Sequence, residues 1–181
     1  MMNPTTCAPV STPAWRHPAD AGPGQPASPM LALEFACQGR HFALPLACVR
    51  RAVPSAEPVP LPGASDIVLG VLNVGGETVT VLDFARRAGC AATTLAPSQQ
   101  FLVVDLGGFA CALVADSVSG VRTVDIENAQ WPRHAGAAAF VDGALRMDDG
   151  LCLVIDPERF LFEQERQQLA EALAGAHDGR D

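Results

Sequence analysis

Three pairs of short apolar runs, each pair divided by a turn signal, constrain the fold of this chain more than any other feature. VLNV and ETVTVL flank Gly75 and Gly76, FLVVDL and FACALV flank Gly107 and Gly108, and ALRM and LCLVI flank residues 148–150. Glycine adopts the positive φ angles of a tight hairpin turn, and runs rich in Val, Thr and Phe favour strands. The repetition predicts an all-β protein, a sandwich or a barrel.

The chain before these pairs predicts a further hairpin. Leu31, Leu33 and Phe35 alternate with small or charged residues, as in a half-buried strand, and QGRHFALPL continues the pattern after a turn at Gln38. The following ACVRRAV predicts a short helical turn. Residues 54–62 predict a loop, because proline interrupts regular structure.

Residues 1–29 differ from the rest, because they are rich in Pro, Ala, Ser, Thr and Gly and poor in large aliphatic side chains. Such a segment buries too little apolar surface to offset its ordering entropy, so a disordered leader is predicted. It resembles no signal peptide, and no later run reaches the roughly 18 apolar residues of a membrane span. The six cysteines form no C-x-x-C pair, which is typical of a reduced compartment. We therefore expect a cytoplasmic protein.

The C-terminal part predicts a helix over residues 157–174. Asp156 can cap it, Pro157 suits its first turn, and Gly175 suits its end. The folded domain is thus expected over 30–175, with a polar tail at 176–181.

Charge and motif content exclude several function classes. The net charge of −8 disfavours nucleic acid, and the absence of lysine excludes Schiff-base and phosphate-loop lysine chemistry. The four histidines show no metal-ligand spacing. Aspartates end several apolar runs, a position that turns commonly occupy, and they do not lie in the motifs of a catalytic pair. We expect no enzyme activity, no metal and no cofactor.

Four motifs, in this order, resemble the CheW-like family of adaptor proteins in bacterial chemosensory arrays. LPLACVRRAV at 44–53 resembles the family's V-x-E-V segment, and GVLNVGGETVTVLDF at 70–84 resembles G-V-I-N-L-R-G-x-x-V-P-V-V-D-L. LVADSVSGV at 113–121 is similar to V-D-x-V-x-x-V, and FVDGALRMDDGLCLVIDPERFL at 140–161 is similar to the family's ending. The likeness covers nearly everything from residue 31 to residue 162.

The resemblance implies two intertwined five-stranded SH3-like β-barrels with a C-terminal helix. We expect the first barrel at about 30–95 and the second at about 96–156. The implied function is non-enzymatic: the chain would couple a histidine kinase, through that kinase's regulatory domain, to the cytoplasmic tip of a chemoreceptor. The implied partner-binding positions are Val49, Arg51, Val53, Asn73, Gly75, Asp83, Arg86, Asp116, Val118 and Val121.

Three positions depart from the family pattern. Gly75 replaces an arginine associated with receptor coupling, Arg51 replaces a glutamate, and Ala85 replaces another arginine, with Arg86 one place later. An arginine can bind a carboxylate through two parallel hydrogen bonds, whereas glycine offers no side chain. One hypothesis is an adaptor for a divergent chemosensory system, such as one controlling twitching. The alternative is sequence drift in a poorly functioning paralogue.

A second function is compatible with the same composition. A β-barrel can bind a small molecule or a peptide across its strands, and a groove between two barrels would offer the space. Ligand-induced thermal stabilisation would favour this alternative, and co-purification with a kinase domain would favour the adaptor.

Overall fold

The computed structural model of the chain describes residues 29–124, 140–148 and 150–178. The predicted leader, except Pro29, and the last three residues of the predicted tail lie outside these ranges. Among the described helices, none is long and apolar enough to cross a bilayer. The strands are β1 (Met30–Cys37), β2 (Arg40–Pro45), β3 (Val49–Pro54), β4 (Val68–Val74), β5 (Glu77–Leu82), β6 (Gln100–Leu106), β7 (Phe109–Ala115), β8 (Ser117–Val124), β9 (Val141–Met147) and β10 (Gly150–Ile155). The helices are α1 (Phe84–Arg87) and α2 (Glu163–Asp178).

The predicted hairpins form, and two of them use the same turn chemistry. Both glycines of the β4–β5 turn and both of the β6–β7 turn have φ between 62° and 92°, which favours glycine. Asn73 Oδ1 accepts a hydrogen bond from Gly76 N at 2.8 Å, and Asp105 Oδ1 accepts one from Gly108 N at 2.7 Å. The sequence patterns N-V-G-G and D-L-G-G therefore encode one turn twice.

The ten strands form two five-stranded sheets, in the orders β8-β1-β2-β10-β9 and β3-β6-β7-β5-β4. Strand β2 pairs in parallel with β10, as β7 does with β5, and the other neighbours are antiparallel. The pairing pattern is thus the same in both sheets. We call β3 to β7 the continuous barrel, and β1, β2, β8, β9 and β10 the split barrel.

The predicted division into a barrel at 30–95 and one at 96–156 is wrong. The first hairpin pairs with β8 and β10, while the middle of the chain forms the continuous barrel on its own. Turn signals are local, and they identify each hairpin without specifying which other strand lies beside it. The term "intertwined" describes the result correctly, because the chain leaves one barrel, completes the other and returns.

The largest core lies between the barrels, and we call it the shared core. It contains Phe35 and Phe42 of the split barrel and Leu102 and Leu113 of the continuous barrel, with Phe84 between them. Smaller clusters fill each barrel, including Val79, Val81, Phe101, Val103, Ala112 and Val114 in the continuous barrel. Strands β6 and β7 are therefore buried on both faces, which explains their continuous apolar runs.

The C-terminal helix begins six residues later than predicted and ends later, at Asp178. Asp156 Oδ1 accepts hydrogen bonds from Glu158 N at 2.8 Å and Arg159 N at 3.3 Å, so it caps a turn before the helix. The helix begins later because the preceding turn places Phe160 and Leu161 in the shared core. The expected helical turn after β2 is also shorter than predicted: a 3₁₀ turn covers Leu46–Cys48, and β3 follows.

Candidate functional site

A β-bulge at Arg50 decides which way the side chains of β3 point. Val49 pairs with Val104, which faces the shared core, whereas Arg51 pairs with Val103, which faces the interior of the continuous barrel. Residues two apart on a regular strand share a face, and the bulge reverses this for Val49 and Arg51. Val49 packs against the shared core, so only Arg51 and Val53 of the three predicted β3 positions share a face.

Arg51 reaches across the open side of the continuous barrel, between its edge strands β3 and β4. Its Nη2 donates a hydrogen bond to the carbonyl oxygen of Val74 at 2.7 Å. A Cβ atom at position 75 would lie 3.3 Å from Nη1 of Arg51. Arg51 is exposed, and its guanidinium therefore lies over the glycine turn, against Gly75. We call Arg51, Val53, Asn73 and Gly75 the hairpin surface.

Arg50 fixes the same hairpin from the other side. Its Nη1 lies 2.7 Å from Glu77 Oε1 and its Nη2 3.1 Å from Asp105 Oδ2. The hydrogen bond that Arg50 donates to Glu77 is the main cause that raises the pKa of Arg50 above its usual range. All three side chains are about 40% exposed, so the network orients the hairpin more than it stabilises the fold. No local sequence signal predicts these pairs, because they join residues 27 and 55 positions apart.

Asp83 is buried and bound internally, so it is not available to a partner. Its Oδ1 accepts hydrogen bonds from Arg86 N at 3.1 Å and Thr93 Oγ1 at 2.6 Å, and its Oδ2 accepts one from Thr93 N at 2.9 Å. It thereby caps α1 and holds the loop after it. Ala85, where the family pattern has arginine, is fully buried, whereas Arg86 is exposed and donates to the carbonyl oxygen of Asp66 at 2.9 Å.

Asp116 joins three segments at the end of β7. Its Oδ2 accepts a hydrogen bond from Gln38 N in the β1–β2 turn at 2.5 Å, and its Oδ1 accepts one from Gln99 Nε2 at 2.9 Å. The carboxylate is exposed but its bonds are internal. Asp116 therefore connects the two barrels at their surface.

Val118 and Val121 lie on the shared-core face of the split barrel. They are three residues apart, yet they pair with residues two apart on β1, because β8 is irregular near Gly120, whose φ is 128°. Val118 packs against the shared core, whereas Val121 is 51% exposed. Leu31, on the same face of β1, is 52% exposed. We call Leu31, Val118 and Val121 the split-barrel margin.

The groove expected between the barrels is filled by the shared core in the part of the chain that the structure describes. A cavity of about 530 Å³ lies instead on the continuous barrel, between the loops at 55–58 and 93–97. Leu69 and Leu95 line it, with Glu57 and Ser55 as polar neighbours. Within the described ranges, no group of three or more His, Cys, Asp or Glu side chains could hold a metal ion.

Two five-stranded barrels over one shared core define the class of two-barrel β domains. The model of the CheW-like domain matches residues 31–165. This chain belongs to the CheW-like family.

Two curated proteins and one solved structure illustrate the relationship. The chemotaxis protein CheW of Rhizobium meliloti is 22% identical over 138 residues, covering 75% of this chain and 89% of that protein. Protein FrzA of Myxococcus xanthus is 30% identical over 80 residues, covering 44% of this chain and 50% of FrzA. The crystal structure of the scaffolding protein TtCheW from Thermoanaerobacter tengcongensis covers 75% of this chain and 94% of its own, with 23% identity and a TM-score of 0.67.

These comparisons confirm the predicted family and fold class. They also confirm the predicted class of function, a chemosensory adaptor. The partner-binding positions stay predictions. Four of them form the hairpin surface, and Val118 and Val121 lie on the split-barrel margin. Arg86 and Asp116 are exposed outside both surfaces, Val49 packs against the shared core, and Asp83 is buried.

Proposed function

We propose that this chain is a non-enzymatic cytoplasmic adaptor that couples a chemotaxis-type histidine kinase to the cytoplasmic tip of a chemoreceptor. The observation that carries the proposal is the family match over residues 31–165, which takes in every strand of both barrels except the first residue of β1. The kinase contact would be made through the kinase's own CheW-like regulatory domain.

An adaptor that binds two proteins at once needs two surfaces that do not overlap. The hairpin surface belongs to the continuous barrel and is polar, whereas the split-barrel margin is apolar. A micromolar contact corresponds to about −8 kcal/mol, and protein interfaces generally combine an apolar centre with a polar rim. Linking such contacts in an array raises the effective affinity further, by roughly 10² to 10⁴.

The aspartates at the strand ends support a non-enzymatic function. Asp83, Asp105, Asp116 and Asp156 each accept a hydrogen bond from a backbone N–H. These bonds satisfy turns and caps, which is the ordinary reason for aspartate at such positions. The carboxylates are thus explained by the fold, without a catalytic role.

Co-purification of the full chain with partners from its own genome tests the proposal. Retention of both the kinase regulatory domain and the chemoreceptor signalling fragment is the expected result. Val121→Arg, which places a charge on the split-barrel margin, should release one partner and retain the other. Leu151→Arg is the matched control, because Leu151 is also exposed, at 60%, and lies outside both surfaces. Retention of neither partner by the unmodified chain would contradict the proposal.

The cavity on the continuous barrel supports the second candidate, a module that binds a small molecule or peptide. Its volume of about 530 Å³ is within the usual range of ligand pockets, and Leu69 and Leu95 give it apolar walls. Thermal stabilisation by a small ligand that Leu95→Trp abolishes would support this function. A ligand screen without any stabilisation would argue against it.

A further inference from the structure

We propose that Arg51 is the residue by which this adaptor binds a carboxylate on an acidic segment of its protein partner, at the glycine turn between β4 and β5. The inference rests on the proposed function and specifies the chemistry of one contact. It depends on where the guanidinium is held, on which of its bonds are already made, and on the absence of a side chain at Gly75.

The guanidinium of Arg51 is positioned by three features of the fold. The bulge at Arg50 turns Arg51 toward the open side of the continuous barrel. The carbonyl oxygen of Val74 then accepts a hydrogen bond from Nη2 at 2.7 Å. Gly75 leaves the space that Nη1 and Nη2 occupy, since a Cβ there would lie 3.3 Å and 3.4 Å from them. Arginine loses less side-chain entropy on binding when it is ordered beforehand.

The bonding of Arg51 leaves its positive charge available. Arg50 forms ion pairs with both Glu77 and Asp105, whereas no carboxylate of the described residues forms an ion pair with Arg51. A guanidinium has five N–H donors, and the bond to Val74 uses one of them. A backbone carbonyl orients the group without neutralising it. The remaining donors can bind a carboxylate through two parallel bonds.

The unpaired guanidinium of Arg51 favours an acidic partner at the turn. Glu77, the acidic residue of the same hairpin, and Asp105 are both paired with Arg50, so the cation at the turn that has no ion pair among the described residues is Arg51. The chain as a whole carries −8, but charges more than about 8 Å away are largely screened at physiological salt. A carboxylate that contacts the turn can therefore form an ion pair with Arg51 without displacing a carboxylate of the described residues.

Two of the departures from the family pattern are in contact and form one change. Position 51 has arginine where the pattern has glutamate, and position 75 has glycine where the pattern has arginine. The structure places the Arg51 guanidinium against Gly75. The family pattern has an arginine in the turn itself. In this chain the guanidinium at that turn comes from Arg51 of β3 instead.

The test compares Arg51→Glu and Arg51→Met with the wild type, in binding titrations against a chemoreceptor signalling fragment and a kinase regulatory domain from the same genome. Arg51→Met keeps an apolar stem and removes the charge. We expect both variants to weaken binding of one partner by about 10- to 100-fold, to leave the other partner unchanged, and to reduce the salt dependence of the affected affinity. Arg146→Glu, an exposed arginine on β9, is the control and should stay within about twofold.

The double variant Arg51→Glu with Gly75→Arg returns both positions to the family pattern and should restore part of the lost affinity, while the φ of 68° at position 75 lowers its stability by roughly 1–2 kcal/mol. Thermal unfolding of each variant separates a binding effect from loss of the fold. If the wild type binds both partners and Arg51→Met binds both within twofold, the Arg51 proposal is wrong and the adaptor function stands. If the wild type binds neither partner, the adaptor function is wrong, and the Arg51 proposal fails with it.

Discussion

Replacement of Phe84 by leucine is expected to destabilise both barrels together. Phe84 follows β5 of the continuous barrel, is fully buried, and contacts rings from other parts of the chain. The centroid of its ring lies 5.0 Å from that of Phe35, 4.7 Å from that of Phe42 and 5.7 Å from that of Phe160. Since Phe35 and Phe42 belong to the split barrel, this side chain joins the barrels within the shared core.

The expected loss follows from the packing. Removing a buried Phe side chain down to alanine costs about 3–5 kcal/mol, and each aromatic pair contributes about 0.5–1.5 kcal/mol beyond its buried area. Leucine retains most of the apolar volume and loses the ring contacts. We therefore expect Phe84→Leu to lower the free energy of unfolding by about 2–3 kcal/mol, out of a total of about 5–15 kcal/mol for a domain.

Urea unfolding combined with native-state hydrogen exchange measures this effect barrel by barrel. The most protected amides of β2 and β7 should lose the same free energy of opening, because the shared core makes the barrels one cooperative unit. Phe101→Leu is the matched control: Phe101 is equally buried but packs inside the continuous barrel, so its replacement should cost about 1 kcal/mol less. If the free energy of opening fell only for the amides of β7 and stayed unchanged for those of β2, the shared core would not join the barrels into one cooperative unit.

Three further outcomes are expected. Gly70→Ala should lower stability by at least about 2 kcal/mol in urea unfolding, because Gly70 has φ 146° and a Cβ there would lie 2.3 Å from the carbonyl oxygen of Val59; an unchanged midpoint would contradict this. Asp83→Ala should cost about 2 kcal/mol through its lost cap and loop bonds, and the same midpoint as the wild type would contradict it. Burial raises the pKa of three thiols from 9.0 to about 12, those of Cys37, Cys48 and Cys111. Their protonation makes no difference to stability below pH 9, where folded and unfolded thiols are both protonated. Above pH 9 the unfolded chain loses these protons first, so stability should fall by about 1.4 kcal/mol per pH unit for each thiol. Unfolding curves from pH 8 to 10.5 should show a shallower fall in Cys111→Ala, and an identical slope in both proteins would contradict the assignment.

Local sequence signals predicted the hairpins because the chemistry that forms them is local. N-V-G-G and D-L-G-G contain both the glycines that accept positive φ and the side chain that caps the turn. Local signals were misleading at Asp156, where a favourable capping residue followed by a proline predicted the start of a helix. The structure uses them for a turn, because burial of Phe160 and Leu161 outweighs early helix formation.

The candidate site was predicted in part. The motifs identified the hairpin, and the resemblance placed Val49, Arg51 and Val53 among the partner-binding positions. The bulge at Arg50 separates Val49 from the other two, and a period of two cannot reveal an extra residue in one strand. The contact between Arg51 and Gly75 was equally invisible, since it joins residues far apart in the sequence.

The sequence by itself determined that this chain is an all-β member of the CheW-like family, with its hairpins at the right residues, because turn chemistry and strand composition act over a few neighbouring positions. Only the tertiary structure decided which hairpins share a barrel, that the first hairpin joins the last strands, and that Arg51 supplies a guanidinium over the turn that has none of its own. These features depend on pairing between distant strands and on burial in a common core, and neither is encoded in any single segment.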